Sequence, residues 1–369
     1  MRGLTERETE ILKMLKADPT ISREIIANEL GISNSAVGTH LHNLAQKGYL
    51  LGRGYIIAPQ REIVVVGGSN IDLKGYTDNY LKNTSNPGRV MESLGGVGRN
   101  IAENIGILGR EAVLLSSVGD DHFGRRLLSE TANSGVNTDY VKVASKEKTG
   151  LYLAHLDSRG ELIGAISEMD ILSEIDIDYL KEHCQIIKQS SIIVLDTNLT
   201  KNAIKYILDI TKDNNLQVIV EPVSVEKSKK IKSYLQQVDY ITPNIEEAEV
   251  LLGLDILYNR DFDFRRKRIE KAYNNRGSLP KMIITCGGEG VLLLAEGKSR
   301  LFKTDSIKKS EIEETTGAGD ALTAGLTDSL VRGEDLVAAI KYGISAATAT
   351  IKSRYTVNPN LFNEIEKQP

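Results

Sequence analysis

Six compact apolar runs mark the chain after its first sixty residues: Ile63 to Val66, Ala112 to Ser116, Ile192 to Leu195, Val218 to Glu221, Tyr240 to Thr242 and Met282 to Thr285. Helical patterns lie between most of them, notably Arg99 to Leu108, Leu199 to Thr211 and Ile245 to Leu252. Runs that are apolar throughout, rather than at every second position, ask for burial on both faces, and the intervening helices supply the cover. The pattern predicts an α/β body built on a mainly parallel sheet with helices on both sides. Two stretches interrupt it, and they read as antiparallel ribbons inserted as a lid at about 73–91 and 149–167. Leu151, Leu153, Ile163 and Ile166 would leave the outer lid face too apolar to stand alone, which predicts a homodimer.

The first sixty residues read differently, as expected of a 369-residue chain with room for two or three domains of roughly 100–200 residues. A helix is predicted from about Thr5 to Lys16, with Glu6, Glu8 and Glu10 near its start, where the helix dipole favours acid. Ser22 should cap a second helix through Leu30, and Gly31 should break it. Ser33 should then cap a third helix, Asn34 to Lys47, with Val37, Leu41, Leu44 and Ala45 as its buried stripe. Tyr49 to Ile57 forms two apolar runs around Gly52-Arg53-Gly54 and reads as a wing. The order of these parts resembles the winged helix-turn-helix modules of bacterial transcriptional regulators. The resemblance implies DNA as a partner, with Asn34, Ser35, Thr39, His40 and Asn43 offered to base edges and Arg53 to a phosphate or the minor groove. Seven Lys/Arg against six Asp/Glu in residues 1–60 give only weak electrostatic support. The expected boundaries are a winged helix-turn-helix domain at 1–58, a linker at 59–61 and the α/β body at 62–369.

Composition narrows the function classes. Hydrophobic residues at 41% and charged residues at 26% exclude a mainly disordered chain, and a net charge of −4 excludes a polybasic coat for nucleic acid or membranes. No apolar stretch approaches the length of a membrane span, and the N-terminal residues lack the apolar core of a signal peptide. Cys184 and Cys286 have no metal spacing and are expected to be reduced, buried thiols of a cytoplasmic protein, with no zinc. His122, His155 and His183 are expected to be structural, and the charge runs Lys227 to Lys232 and Arg265 to Arg268 are expected to be solvated.

Four motifs carry chemistry. Glu314-Thr315-Thr316-Gly317-Ala318-Gly319-Asp320 precedes a helical pattern, and small residues there would leave amides free for a phosphate. Asp320 is then either a capping acid or a base for a hydroxyl attacking that phosphate. Gly95-Gly96-Val97-Gly98-Arg99-Asn100 opens another helix without matching a dinucleotide fingerprint or a P-loop. Gly67-Gly68-Ser69-Asn70-Ile71-Asp72 follows the first core strand, where ligands of open α/β sheets lie, so Asn70 and Asp72 are candidates for gripping a small polar ligand. In Thr242-Pro243-Asn244-Ile245-Glu246-Glu247, Asn244 reads as a cap, while Glu247 reads as a residue facing magnesium.

In this order, over residues 62 to 355, the motifs resemble the ribokinase-like (PfkB) family of carbohydrate and nucleoside kinases. The resemblance implies a three-layer α/β sandwich with an inserted β lid, and ATP and Mg2+ as cofactors. It implies Asp320 as catalytic base with Gly317, Ala318 and Gly319 as the anion hole. Asn70, Asp72, Gly95, Gly96 and Asn100 would bind the acceptor, Glu247 would organise magnesium, and Asn244, Thr285, Gly287 and Gly290 would line the nucleotide cleft. The family usually carries Asp or Asn where this chain has Glu314, a side chain that helps form the cation site of potassium-activated members, so the resemblance leaves a monovalent cation open. Within the family, Ser85 to Gly88, Gly95 to Ala102, Ser167 to Ile171 and Tyr355 to Pro359 are most similar to the pseudouridine kinases. The resemblance thus implies transfer of phosphate to the 5′-hydroxyl of a nucleoside. The alternatives are another sugar or nucleoside acceptor (ribose, inosine, adenosine) or a transcription regulator using the kinase fold as a ligand sensor.

Overall fold

The computed structural model describes residues 4–19, 21–50, 63–258, 261–304 and 307–366. By internal contacts the chain divides into two compact units, Met1–Gln60 and Arg61–Pro369.

In the smaller unit the helices are Glu6–Ala17, Arg23–Leu30 and Asn34–Gln46; the second and third start at the expected caps, and the first is capped by Thr5. Thr5 accepts the Glu8 amide in a reciprocal capping box, Ser22 accepts that of Ile25 and Ser33 that of Ala36. Gly31 ends the second helix at φ 63°, a conformation that suits glycine. Ile11, Leu12, Leu15, Ile26, Val37, Leu41 and Leu44 form the core between the helices. Ala45 is exposed, a correction to the expected stripe: it follows Leu44 directly and so turns away from the face that Val37, Leu41 and Leu44 bury. Lys47 is tied to buried Glu8 at 2.7 Å and so serves the packing of this unit. The expected wing strands at 51–57, Arg53 among them, and the linker at 59–61 lie outside the described residues.

The larger unit is built on a nine-stranded sheet. Its spatial order is Lys298–Phe302, Val291–Ala295, Lys281–Thr285, Tyr240–Ile241, Gln217–Glu221, Ile192–Asp196, Ile63–Val66, Ala112–Leu115, Val136–Asn137. All neighbours are parallel except that Val291–Ala295 pairs antiparallel with both Lys281–Thr285 and Lys298–Phe302. Both faces are covered, as the apolar runs require. Ile63 and Val65 pack with Ile101 and Leu322 on one side, while Val64 and Val66 pack with Leu199 and Ile204 on the other. From Ile63–Val66 the chain builds outward to one edge and then returns to Ile192–Asp196 on its other flank, so the strand order reverses between these two strands. In open α/β sheets the crevice at the carboxyl ends of such a pair holds the ligand.

The lid differs from the expected pair of ribbons. It is one four-stranded mixed sheet in the order Arg89–Gly95, Asn70–Tyr76, Gly150–Leu156, Leu162–Glu168, with its two central strands parallel. Joining the ribbons satisfies two strand edges that would otherwise be left open. The charge runs also need correcting at Arg265 and Lys230, while Lys229, Lys232 and Lys267 are exposed as expected. Arg265 is buried between Glu246 and Glu249, at 2.8 and 2.7 Å, and Lys230 donates to the carbonyls of Thr197 and Leu199, each at 2.9 Å. Burial of Arg265, and half-burial of Lys230, is made possible by partners elsewhere in the sequence. Both cysteines are free. Cys286 is buried, which pushes its thiol up to about 12, whereas Cys184 is only half-buried. Of the described helices, none is long and apolar enough to cross a membrane.

Candidate active site

The site begins where the first core strand ends. A side chain on Gly98 would come within 2.7 Å of the Gly67 Cα, and one on Gly96, whose φ is 97°, within 2.4 Å of the Gly68 carbonyl oxygen. The two glycine motifs are therefore glycine-rich because their backbones touch. Asp196, at the end of the neighbouring strand and fully buried, holds them together by accepting the amides of Gly68 at 2.8 Å and Gly98 at 2.9 Å. It also accepts the Asn198 amide at 2.8 Å.

Asn70 and Asp72 are placed on the lid strand Asn70–Tyr76 itself, two residues apart and so on one face of it. Asn70 donates to Asp72 at 2.6 Å, and Gly95 lies so close that a side chain there would meet the Asp72 carboxylate at 2.5 Å. Asn100, in the first turn of helix Val97–Ile107, reaches across to Asp320 and donates to its carboxylate at 2.7 Å. Two motifs separated by 220 residues thus meet at one hydrogen bond. Asp320 is 9% exposed. Burial pushes its carboxyl up to about 7, against the Asn100 hydrogen bond and the Arg99 guanidinium, and with the help of Asp196 and Asp72. Arg99 itself is buried beside Glu103, and burial lowers its guanidinium to about 10.

Asp320 lies in the first turn of helix Ala318–Val331, whose N-cap is Gly317 at φ 87°. First-turn amides of an α-helix lack partners in their own helix and carry the positive end of its dipole. The Ala318 amide makes a long 3.4 Å contact with the Thr315 carbonyl, and nothing lies within 4 Å of where a Gly319 side chain would stand. Just before this turn, Glu314 accepts the amides of Thr315 and Thr316 and pairs with Lys74 of the lid at 2.7 Å.

The far side of the crevice is built from Asn244, Glu247 and the turn after Lys281–Thr285. Asn244 caps helix Ile245–Leu251: it accepts the Glu247 amide at 2.8 Å while Glu247 accepts the Asn244 amide at 2.9 Å. The capping reading is therefore right for Asn244, and Glu247 shares in it with one oxygen. A β-bridge sets Asn244 beside Thr285. Gly287 and Gly290 have φ of 57° and 104°, and Gly287 faces open space. Glu221 was not foreseen: it is buried, accepts the hydroxyls of Thr242 at 2.6 Å and Thr323 at 3.1 Å, and has its carboxyl pushed well up by burial and by neighbouring Glu247. Thr323 stands one helical turn from Asp320, so one helix face carries both.

Residues 60–362 match the pfkB family carbohydrate kinases. The chain belongs to that family. Residues 4–50 match a winged helix-turn-helix DNA-binding module. The kinase is 36% identical over 304 residues to pseudouridine kinase of Escherichia coli (strain K12), covering 81% of this chain and 93% of that protein. It is 32% identical over 368 residues to the uncharacterized sugar kinase YeiI of the same organism, covering 97% of each. Among solved structures, a carbohydrate kinase from Agrobacterium tumefaciens is similar at TM-score 0.68 and 26% identity, over 83% of this chain and 96% of that one. The protein is thus a phosphotransferase with an alcohol group as acceptor, on a ribokinase-like α/β fold.

The residues that sequence reading passed over in this kinase are Asp196, Glu221 and the Lys74–Glu314 pair. Asp196 and Glu221 each end a core strand, a position at the mouth of the crevice that was available as a signal. By sequence, Glu314 stands out only as a departure from the family. The structure gives it a partner in Lys74, which no local pattern connects to it.

Proposed function

We propose that this kinase transfers the γ-phosphate of ATP to the 5′-hydroxyl of a ribosyl nucleoside, with pseudouridine preferred. The observation that carries the reading is the 2.7 Å bond from Asn100 to Asp320, which joins the acceptor motif to the carboxylate at the helix N-terminus. Asn70 and Asp72 present a donor and acceptors suited to neighbouring ribose hydroxyls. Asp320 takes the proton of the attacking hydroxyl, and the Gly317 to Gly319 turn faces the charge on the phosphoryl group. ATP lies along Thr285, Gly287 and Gly290. Magnesium keeps several waters and binds through one or two carboxylates and the substrate phosphates. Glu247 with buried Glu221 beside it would hold such an ion, which when bound supplies positive charge to the phosphates. The identity to pseudouridine kinase supports the choice of nucleoside. A ligand sensor would need the acceptor grip but not a carboxylate of raised pKa beside an anion site.

An assay over pseudouridine, uridine, inosine, ribose and fructose should show pseudouridine with the highest kcat/KM. A preference for ribose or fructose would overturn the nucleoside reading. Asp72→Ala should raise the acceptor KM on the order of tenfold, as expected when one partner of a hydrogen bond to a charged group is lost, and leave the KM for ATP nearly unchanged. Equal weakening of both would place Asp72 elsewhere.

Two partners follow from the same reading. Val90, Leu153, Ile163 and Ile166 are 71%, 41%, 39% and 66% exposed on the lid, whereas Leu151, two residues before Leu153 and so on the same strand face, is half-buried against the core. A second copy covering that face gives a homodimer, which sedimentation should show, and a monomer at every concentration would refute it. The smaller unit presents Asn34, Ser35 and Thr39 exposed, and His40 and Asn43 half-buried, on helix Asn34–Gln46. Specific DNA binding is the proposed role of this unit. A gel shift of the gene's own upstream DNA at stated salt is expected; equal binding of unrelated DNA would reduce the unit to an accessory role.

A further inference from the structure

We propose that Lys74 is a positioning residue that clamps the lid to the loop opening the anion site, so that one strand sets both the acceptor grip and the phosphate turn. Asn70, Asp72 and Lys74 alternate along the lid strand and share a face. The first two belong to the acceptor grip. Lys74 reaches Glu314 at 2.7 Å and the Thr316 hydroxyl at 3.3 Å, with the Lys74 and Glu314 side chains only 15% and 26% exposed. The other Glu314 oxygen accepts the amides of Thr315 and Thr316, each at 3.0 Å, and the Thr316 hydroxyl at 2.7 Å. The next residue, Gly317, caps the helix that carries Asp320.

A continuous chain of charge-assisted bonds therefore runs from the lid strand to the amides immediately before the anion site. Burial works against the Glu314 charge, yet Lys74 and the Thr316 amide and hydroxyl hold its carboxyl below the usual range, so Glu314 keeps its charge at neutral pH. Any shift of the lid strand moves Lys74, and with it the loop. The clamp joins positions 240 residues apart, and nothing in the motif itself would supply this restraint.

The kinetic part of the test rests on the kinase reading with pseudouridine as acceptor; the exchange part does not. Lys74→Met and Glu314→Gln are compared with the wild type and Lys74→Arg, all as full-length protein. Glu314→Gln keeps an oxygen for the two amides while removing the charge. In hydrogen exchange without ligand, the amides of Thr315 and Thr316 should exchange about tenfold faster in Lys74→Met and in Glu314→Gln. In turnover, both variants should lose about 10–100-fold in kcat, as small misplacements do, with KM values and thermal midpoint little changed. Lys74→Arg should restore most of the rate, and the double variant should be no worse than either single one. Unchanged exchange at Thr315 and Thr316 would overturn the clamp, as would additive losses in the double variant. If the wild type phosphorylates none of the acceptors, the function reading fails and the exchange result alone decides the clamp.

Discussion

Asp320→Asn is expected to lower kcat for phosphoryl transfer by about 10²–10⁴-fold, the usual contribution of a positioned base, while ATP binding stays nearly intact. The replacement keeps the size of the side chain and an oxygen that can accept from Asn100, so the loss would report the proton and not the packing. The same residue is expected to set the pH dependence. A base works in its deprotonated form, and burial pushes the Asp320 carboxyl up to about 7. The wild-type kcat/KM should therefore be low in acid, rise through pH near 7 and level off above it. A rate already flat between pH 5 and 8 would mean that another group limits the reaction, and near-full activity of Asp320→Asn would remove the base from this position. Arg99→Met should move the rise to higher pH, because the guanidinium opposes the upward shift.

Gly317→Ala is the second expected large loss. The residue sits at φ 87°, and a side chain there would stand 2.0 Å from the Thr356 carbonyl oxygen. The left-handed conformation alone costs an alanine about 1–2 kcal/mol, and relief of the clash requires the turn to move. Displacing one donor from a developing charge costs about 10²–10³-fold in kcat. Gly319→Ala separates the site from the fold. Nothing lies within 4 Å of its added methyl group, so folding should be unaffected, while a methyl group in the space proposed for the phosphate should raise the KM for ATP. A Gly319→Ala variant with unchanged kinetics would place the phosphate elsewhere.

What was legible in the sequence shares one property: its cause is local. Ser22 and Ser33 announce helix starts because a cap bonds within three residues. The runs Ile63 to Val66 and Ile192 to Leu195 announce buried strands because their neighbours on both faces are helices that the pattern also shows. The motifs of the site were legible for a related reason, since Gly96 and Gly317 hold backbone conformations that favour glycine. What was missed has non-local causes. The lid became one sheet because Asn70–Tyr76 pairs with Gly150–Leu156, and neither strand encodes the other. Arg265 and Lys230 look like surface charge until the acids and carbonyls that hold them are brought in from elsewhere. Asp196 and Glu221 are single acids at strand ends, and their importance lies in the amides and hydroxyls that converge on them.

The central claim is that the kinase body is catalytic, with Asp320 as the base at the meeting point of the acceptor and phosphate motifs. Its most direct test follows the γ-phosphate of labelled ATP in the presence of magnesium, pseudouridine and the purified full-length chain, beside Asp320→Asn. Label is expected on the 5′-oxygen of the nucleoside with the wild type and almost none with the variant. ATP binding without transfer to any hydroxyl, by a wild-type protein that still responds to nucleoside, would contradict the account.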